Sequence, residues 1–518
     1  MNTTDFLNIA ISICPDRDFL VFENNQLTYE QAGERINRLA QALTGLGVTK
    51  ETRVGMLSVN GPQYIESYFA AAKTGAIFVP LNFRARADEL TYMINRAEVK
   101  VLFIAKRYIE PVREILPALP QLETCIAIDE AEEDMRFYED LISKAAEEEF
   151  FGEIEDGDTT ILMFTSGTTG RPKAVPLTHE SFSSYILANV DPADPETEEK
   201  NLLTVPLYHV AGMQGVLAAV YGGRTLILMR QFEVKEWLET VEREKVNRAM
   251  LVPTMIKQLI DFPEFKNFDL SSLKIITYGA AAMPFEVIKR AIVAFPGVSF
   301  INAFGQTETG STIAMLSPED HEITGTEAEK EQKLKRLASS IGRPLPDVEV
   351  RILDENGNPA PAGVVGEIVA RGPRIMSGYW QDAEKTAQAF TPDGWLRTSD
   401  LGYMDEEGYI YLSGRADDLI IRGGENISPR EVEEVLVTHP KIRDAAVIGI
   451  PSQEWGQEPR ALVVLYEGEV AAEEEIIEFA RSRLASFKRP RSVVFVEELP
   501  RSALGKLSRK KLLEEYGG

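Results

Sequence analysis

The sequence predicts an α/β protein. A large N-terminal domain of layered α/β subdomains, with a small β-barrel-like subdomain, is followed by a small mobile α+β C-terminal domain. Three features predict this: strand-like runs alternate with helical patterns to about residue 340, hairpin-like segments follow, and a mixed segment ends the 518-residue chain. We expect domains at 1–414 and 415–518, with subdomains at roughly 1–160, 161–340 and 341–414.

The first part of the chain alternates strands with longer helices. Five apolar runs are predicted strands: Arg53–Val59, Val101–Ala105, Ile161–Thr165, Thr225–Met229 and Ile275–Tyr278. Between such runs, apolar residues recur at helical spacing, as they do over 29–46. This alternation is typical of sheets covered by helices.

The later parts have a different pattern. After about residue 340, acidic-glycine turns such as Glu355-Asn356-Gly357 and 405–408 separate β-branched and aromatic runs, which predicts antiparallel hairpins. The final segment predicts helix, strand, strand, helix and strand at Pro429–Thr438, Ala445–Ile450, Arg460–Leu465, Glu473–Leu484 and Ser492–Val496. A unit of this size is typical of a separate domain.

Composition and charge restrict the classes of function. The 44% hydrophobic and 26% charged residues are ordinary for a globular protein. A net charge of −26 argues against a general nucleic-acid binder, because duplex affinity depends on basic surface that neutralises phosphates. Cys14 and Cys125 are too few for a disulfide framework, and we find neither a secretory signal nor an apolar run of membrane-spanning length. We therefore expect a cytoplasmic enzyme without a transmembrane segment.

The charge is unevenly distributed along the chain. Residues 481–511 contain 10 basic and 2 acidic residues, which makes a local cationic strip on an acidic protein. Such a strip is either a site for a polyanionic small molecule or a solvated helix face.

The strongest chemical signal is the loop that follows the predicted strand Thr160–Phe164, because open α/β sheets bind ligands at strand ends. Its glycines let backbone N–H groups converge on phosphate oxygens, its hydroxyls add donors, and a lysine adds positive charge. It is not a Walker A loop, since Arg-Pro-Lys follows the second glycine. The loop is predicted to hold a polyphosphate with Thr165, Ser166, Gly167, Thr168, Thr169, Gly170 and Lys173.

This loop resembles the phosphate loop of the acyl-adenylate-forming superfamily, which includes AMP-forming acyl-CoA synthetases, luciferases and non-ribosomal peptide adenylation domains. The resemblance covers essentially the whole chain, because further motifs follow in the family's order. They are Pro206-Leu207-Tyr208-His209, Tyr278-Gly279-Ala280-Ala281, Asn302–Thr309, Thr398-Ser399-Asp400, Gly414–Asp418 and Pro500–Lys506. The resemblance implies an acid–CoA ligase that uses ATP, Mg²⁺ and CoA and takes a small-molecule carboxylic acid as its substrate.

The resemblance also implies a nucleotide site. Beyond the phosphate loop, contacts to ATP or AMP are expected from Gly279, Ala280, Ala281, Asn302, Ala303, Phe304, Gly305, Gln306, Thr307, Asp400 and Arg415. Asp400 would accept hydrogen bonds from the ribose hydroxyls, and Arg415 would donate to the same sugar. Glu308 and Thr165 would hold Mg²⁺, which prefers oxygen ligands.

By the same resemblance, Lys506 takes the main catalytic role. It would bridge the substrate carboxylate and the α-phosphate, two anions that must meet. Because Lys506 belongs to the small domain and the phosphate loop to the large one, the small domain must close for adenylation. The resemblance implies a rotation about Asp417 before thioester formation.

A CoA site and an acyl pocket are implied as well. CoA contacts are expected from Gly423, Gly424, Trp455, Phe487, Arg489 and Arg491, although Trp455 also fits ordinary domain packing. The acyl pocket is expected to be lined by His209, Val210, Gly212, Met213, Gly279 and Gly305. His209 is either an orienting residue of the catalytic site or a structural histidine.

The pocket segments restrict the acid. No Asp or Glu occurs over 202–217 to pair with an amino-acid ammonium, and no Lys or Arg occurs over 205–215, 279–283 or 302–312 to pair with a second carboxylate. Small residues in these segments leave room for an apolar group. We favour a medium- or long-chain fatty acid, with an aryl or alicyclic acid second. An acyl-AMP ligase that serves a carrier protein and a non-catalytic nucleotide-binding protein remain as alternatives.

The sequence departs from the family pattern at two positions and contains one unusually charged stretch. Ala174 and Ser399 stand where glycine is usual, and each is expected to restrict the backbone. Residues 330–336 are interpreted as a surface helix, with a lid or a site of peripheral membrane contact as the alternatives. We expect a monomer or a homodimer.

Overall fold

A computed structural model describes residues 1–146, 149–165, 171–415, 418–423, 425–501 and 506–518. The chain divides into two units. The first comprises Met1–Thr324, Pro344–Glu349 and Arg371–Gly394, and the second comprises Gly325–Arg343, Val350–Ala370 and Trp395–Gly518. The domain boundary at residue 414 stays a prediction.

The first unit contains two sheets. Its strands are β1 (Asp18–Phe22), β2 (Asn25–Thr28), β3 (Arg53–Leu57), β4 (Ile77–Pro80), β5 (Val101–Ile104), β6 (Thr124–Ala127), β7 (Arg136–Phe137), β8 (Thr159–Thr165), β9 (Lys173–Thr178), β10 (Lys200–Leu203), β11 (Thr225–Leu228), β12 (Arg248–Leu251), β13 (Ile275–Gly279), β14 (Ser299–Gln306) and β15 (Ser311–Leu316). One sheet has the order β7-β6-β5-β3-β4-β8-β9, and the other has the order β15-β14-β13-β12-β10-β11-β1-β2. Both are parallel except where β9, β15 and β2 pair with β8, β14 and β1, so most strand carboxyl ends in each sheet share one edge.

The helices of the described chain are α1 (Thr3–Ile13), α2 (Tyr29–Gly45), α3 (Pro62–Lys73), α4 (Ala87–Ala97), α5 (Ile109–Ile115), α6 (Tyr138–Lys144), α7 (His179–Asn189), α8 (Val210–Tyr221), α9 (Val234–Glu244), α10 (Pro253–Asp261), α11 (Phe285–Ala294), α12 (Pro318–His321), α13 (Glu327–Ser339), α14 (Ala383–Ala389), α15 (Pro429–Leu436), α16 (Glu473–Arg481) and α17 (Arg509–Tyr516). The helices predicted at 29–46, Pro429–Thr438 and Glu473–Leu484 correspond to α2, α15 and α16. Helix α2, for example, begins at a capping box formed by Thr28 and Gln31 and buries Ile36 and Leu39. The charged stretch 330–336 lies in helix α13. Among the described residues, none of the helices combines the length and the apolar character needed to cross a membrane.

The second unit also contains two sheets. Its strands are β16 (Ser340–Pro344), β17 (Glu349–Leu353), β18 (Gly366–Arg371), β19 (Leu396–Met404), β20 (Ile410–Arg415), β21 (Ile420–Arg422), β22 (Glu425–Ile427), β23 (Ile442–Ser452), β24 (Gly456–Leu465) and β25 (Ser492–Phe495). Within the described part of the chain, the order β17-β18-β19-β20-β16 is an open path, so the barrel-like subdomain is a sheet and not a closed barrel. The order β22-β21-β24-β23, with β25 beside β24, packs against α15 and α16 around Ile427, Val432, Val463 and Ile476.

A buried polar network connects α1 to the rest of the first unit. The backbone N–H of Thr3 donates to His179 Nδ1 at 3.2 Å, and the Thr3 hydroxyl lies 2.9 Å from the same nitrogen and 2.8 Å from the Tyr68 hydroxyl. Because Nδ1 accepts a hydrogen bond, the imidazole is neutral in this arrangement. Burial lowers the pKa of His179 to about 4.

The folded protein should therefore lose stability in mild acid. The pKa of His179 is about 6.5 in an unfolded chain, so the unfolded state binds more protons than the folded state between pH 6.5 and 4. Protonation of this histidine therefore lowers the free energy of unfolding by up to about 3 kcal/mol as the pH falls across that window. We expect His179→Gln, which does not titrate, to show a shallower decline in the free energy of unfolding. Urea titrations at pH 7.0 and 4.5 measure the difference, and equal declines in the two proteins would contradict the prediction.

Candidate active site

The predicted phosphate loop begins and ends on two neighbouring strands. Thr165 is the last residue of β8, Lys173 is the first residue of β9, and the two face each other as partners in the antiparallel ladder. Five of the predicted loop residues, Ser166, Gly167, Thr168, Thr169 and Gly170, lie outside the described residues. The sheet thus brings a hydroxyl and an ammonium to the base of the loop, at the carboxyl end of β8.

The acidic residue predicted to hold a metal lies at the same place. Glu308 follows β14 of the other sheet in a short 3₁₀ turn (Thr307–Thr309). Its Oε1 accepts a hydrogen bond from the Tyr379 hydroxyl at 3.1 Å and a long one from the Thr165 hydroxyl at 3.5 Å. Lys173 Nζ lies 4.7 Å from the centre of the Tyr379 ring, within the range of a cation–π contact. The four side chains form one cluster.

The chemistry of this cluster fits magnesium. The Thr165 hydroxyl and the Glu308 carboxylate offer oxygen donors, and Mg²⁺ is usually held by one or two carboxylates together with substrate phosphates. The backbone also fixes Glu308, since its carbonyl accepts from the N–H of Met376 at 3.0 Å.

The segments around Gly279 and Ala303, which are predicted to contact ATP or AMP, form neighbouring strand ends. Gly279 of β13 pairs with Ala303 of β14, and a Cβ at position 279 would lie 2.2 Å from the Ala303 carbonyl oxygen. A Cβ at Gly305 would lie 1.7 Å from the carbonyl oxygen of Ser311. Only glycine permits these approaches. Residues 302–308 are half-buried although β14 has a neighbour on each side, so this strand end is open on one face.

The predicted acyl segment leads into helix α8. His209 caps the helix amino terminus, and its ring lies 4.1 Å from that of Tyr208. Val210 and Met213 are buried. A Cβ at Gly212 would lie 2.6 Å from the Pro206 carbonyl oxygen, so glycine is required where the helix passes the preceding segment.

In the second unit, the predicted ribose residues form a pair. Asp400 and Arg415 are partners across β19 and β20, and Arg415 Nε lies 3.2 Å from Asp400 Oδ1. Ser399 has φ +59°, the left-handed region that favours glycine, so the expected backbone restriction is present there. The same expectation was wrong for Ala174, which pairs with Phe164 in regular extended strand, a conformation that any residue adopts.

Lys506 is exposed and directly precedes Leu507, which forms an antiparallel bridge with Arg501. Beside this bridge, Ser508 N donates to the Pro500 carbonyl at 2.8 Å. This backbone pairing supports the position of Lys506.

Three of the predicted CoA residues are brought together by Arg422. Its guanidinium carbon lies 4.8 Å from the Trp455 ring centre, and its Nη1 donates a long hydrogen bond to the Phe487 carbonyl at 3.5 Å. A Cβ at Gly423 would lie 2.7 Å from the half-exposed Trp455 ring.

The other two described residues that were predicted to bind CoA, Arg489 and Arg491, make their described hydrogen bonds outside the group of Gly423, Trp455 and Phe487. The Arg489 guanidinium donates to the Leu484 carbonyl at 3.1 Å, and Arg491 N donates to the Pro459 carbonyl at 2.8 Å. The predictions for Gly424 and for the hinge Asp417 lie outside the described residues.

The fold and the site define a nucleotide-dependent enzyme of the adenylate-forming kind. The profile of the AMP-binding enzyme family matches residues 10–380, and that of the AMP-binding enzyme C-terminal domain matches residues 431–506. This chain therefore belongs to the AMP-binding enzyme family.

Individual relatives agree with this assignment. An indoleacetate–CoA ligase of Aromatoleum aromaticum is 32% identical over 98% of this chain and 97% of its own, and a long-chain-fatty-acid–CoA ligase of Mycobacterium tuberculosis is 33% identical over 95% and 93%. The ATP-bound structure of MatB from Rhodopseudomonas palustris superposes with a TM-score of 0.88 at 26% identity, covering 100% of this chain and 99% of that one. The predicted superfamily and α/β fold are confirmed. The protein is an AMP-forming acid–CoA ligase that uses ATP, Mg²⁺ and CoA.

Tyr379 was missed by the sequence analysis. It stands 71 residues from Glu308, in a segment that no motif of the analysis covered. The sequence signal that points to this residue is the run Gly378-Tyr379-Trp380, a glycine followed by two aromatic residues. In the structure, Gly378 has φ +152°, and Trp380 N donates to the Ala174 carbonyl at 2.9 Å.

Removal of the Tyr379 hydroxyl should impair the use of magnesium and ATP. Tyr379→Phe keeps the ring beside Lys173 but deletes the donor to the Glu308 carboxylate. Because a hydrogen bond to a charged group is lost, we expect kcat/KM for ATP to fall about tenfold. We expect the Mg²⁺ concentration for half-maximal rate to rise as well. The exposed Tyr466, changed to Phe, is the control. A wild-type magnesium dependence in Tyr379→Phe would refute the role of this hydroxyl.

Proposed function

We propose that this acid–CoA ligase activates a medium- or long-chain fatty acid and transfers it to CoA. The activation chemistry is supported by the cluster of Thr165, Lys173, Glu308 and Tyr379 at the base of the predicted phosphate loop, and the acyl preference by the segment that begins at His209. The cluster combines oxygen donors and a cation at a sheet edge of the kind that binds nucleotides.

In the first step, a carboxylate oxygen of the acid attacks the α-phosphorus of ATP. The bond to pyrophosphate breaks, and an acyl-adenylate forms. Lys506 would neutralise the carboxylate and the α-phosphate, while Asp400 and Arg415 would hold the ribose. Mg²⁺, when bound by Glu308 and Thr165, would neutralise phosphate charge.

In the second step, the thiol of CoA attacks the acyl carbon and AMP leaves. We assign the rotation between these steps to a hinge at Asp417. The group of Gly423, Trp455 and Phe487 supports a CoA site on the second unit, because an aromatic ring beside a glycine can approach a thin ligand closely.

The acyl preference rests on the segment that begins at His209. Val210, Gly212 and Met213 are uncharged and buried, which suits an apolar chain. An aryl acid is the second candidate, because a relative of similar identity is named for indoleacetate. In addition, the Tyr208 ring lies beside His209, and the Phe83 ring lies beside Tyr208. We further propose action in the cytoplasm as a monomer or homodimer.

A panel of acids tests the proposal directly. Acetate, decanoate, palmitate, benzoate, indoleacetate, malonate and alanine are compared for AMP formation, each with and without CoA. We expect CoA-dependent AMP release to be fastest with decanoate or palmitate. Fastest turnover of an aromatic acid would move the assignment to aryl acids, and acid-dependent pyrophosphate exchange without CoA turnover would indicate a carrier-protein acceptor. Absence of turnover with every acid would refute the proposed function.

Lys506→Ala should separate the two steps. We expect adenylation to fall by about 100-fold or more, because a charge-stabilising contact is lost, while CoA transfer from supplied acyl-adenylate changes by less than about threefold. Pyrophosphate release and thioester formation are measured separately. Lys510→Ala removes an exposed lysine of the same unit and is the control. Normal pyrophosphate release by Lys506→Ala would defeat the assignment.

A further inference from the structure

The side chain of Asn60 connects three backbone segments in the interior of the first unit. Its Nδ2 donates to the carbonyls of Val205 at 3.1 Å and Met229 at 3.2 Å, and its Oδ1 accepts from Leu207 N at 3.0 Å. Only 2% of Asn60 is exposed. Both amide hydrogens and the amide oxygen are therefore engaged, and the geometry fixes the side chain in one orientation.

The position of these contacts in the sheets is specific. Asn60 lies three residues after β3 of the first sheet, whereas Val205 and Leu207 follow β10 and Met229 follows β11 of the second sheet. All three segments lie at strand carboxyl ends, where ligands of α/β sheets bind. Asn60 thus joins the binding edges of two sheets.

The segment that Asn60 holds leads directly to His209. Residues 204–209 form neither strand nor helix, and within the segment a backbone hydrogen bond from His209 N to the Pro206 carbonyl at 3.1 Å closes a single turn. Besides Asn60, Phe83 contacts this segment with its ring edge-on to Tyr208 at 5.3 Å, and Tyr208 lies against His209. Gly212 of α8 packs on the Pro206 carbonyl from the following helix. The backbone before His209 is held largely from outside.

We infer that Asn60 is a positioning residue, which sets His209 and the entrance of the acyl pocket by fixing residues 205–207. The inference rests on the proposed role of His209 in acid binding. It assigns to Asn60 an effect on the acid and not on ATP, because its three partners belong to the segments after β10 and β11 and none belongs to the phosphate loop or to β14.

Asn247 offers a matched control. Its Oδ1 accepts from Lys200 N at 2.8 Å and its Nδ2 donates to the Ser272 carbonyl at 3.4 Å, so it also joins backbone segments of the second sheet. Lys200 begins β10 and Asn247 directly precedes β12, which places this asparagine at the amino ends of the strands, the edge opposite to the site. A purely structural asparagine should behave like Asn247.

The experiment compares Asn60→Ala and Asn247→Ala with wild type, using the acid of the panel that the wild type turns over fastest. We expect both variants to lower the thermal unfolding midpoint. Only Asn60→Ala should lower kcat/KM for the acid, by about 10- to 100-fold, since misplacement of about 1 Å can cost a hundredfold. The KM for ATP should stay within about twofold of wild type in both variants. Asn60→Ser, which keeps one donor and one acceptor, is measured alongside and replaces Asn60→Ala should that variant not fold.

A double-mutant cycle with His209→Ala gives the decisive reading. If Asn60 acts through His209, replacing it in the His209→Ala background should lower kcat/KM for the acid by less than about threefold. Three outcomes would overturn the inference: additive effects in the cycle, equal losses in the Asn60 and Asn247 variants, or an equal rise in the KM for the acid and for ATP. In each case, acid turnover by the wild type would still uphold the proposed function. A wild type that turns over no acid would overturn both.

Discussion

The carboxylate of Glu308 joins the segments of the first unit that meet at the base of the predicted phosphate loop. Glu308 follows the second sheet, Thr165 ends a strand of the first sheet, and Tyr379 belongs to the later segment 371–394. Hydrogen bonds to one carboxylate oxygen join all three. The contacts that join these segments therefore also bring together, at the base of the predicted phosphate loop, the oxygens that we propose hold Mg²⁺.

Electrostatics in the folded second unit differ from those of the linear sequence. The strip 481–511 appeared strongly cationic, yet acidic residues outside it form ion pairs with five of its members: Arg481, Lys488, Arg501, Arg509 and Lys510. The Arg481 and Lys510 pairs are exposed and contribute little to stability, whereas Arg509 is largely buried against Glu433, but all of these pairs reduce the field of the strip. A polyanion would therefore be recognised by particular side chains and not by a broad positive surface.

Local patterns predicted the elements well, because strands such as Val101–Ile104 and helices such as Tyr29–Gly45 depend on nearby apolar spacing. Motif resemblance supplied Thr165 and Glu308, which the structure brings together. Tyr379 and Asn60 could not be found in this way. The hydrogen bond of the Tyr379 hydroxyl to Glu308 spans 71 residues, and the side-chain hydrogen bonds of Asn60 reach backbone atoms still farther along the chain. The open path of β16–β20 is a matter of strand closure, which hairpin signals do not encode.

The strand order of the second sheet also has a consequence for synthesis of the chain. Strand β1 lies between β2 and β11, yet about 200 residues separate β1 from β11 along the chain. At ribosomal rates of about 5–20 residues per second, the β1–β2 hairpin waits roughly 10–40 s for its parallel partner. During this time β1 presents an unpaired apolar edge, Phe19-Leu20-Val21, to other nascent chains and to chaperones. Because of this strand order, the β1–β2 hairpin must be shielded from aggregation until β11 has been synthesised.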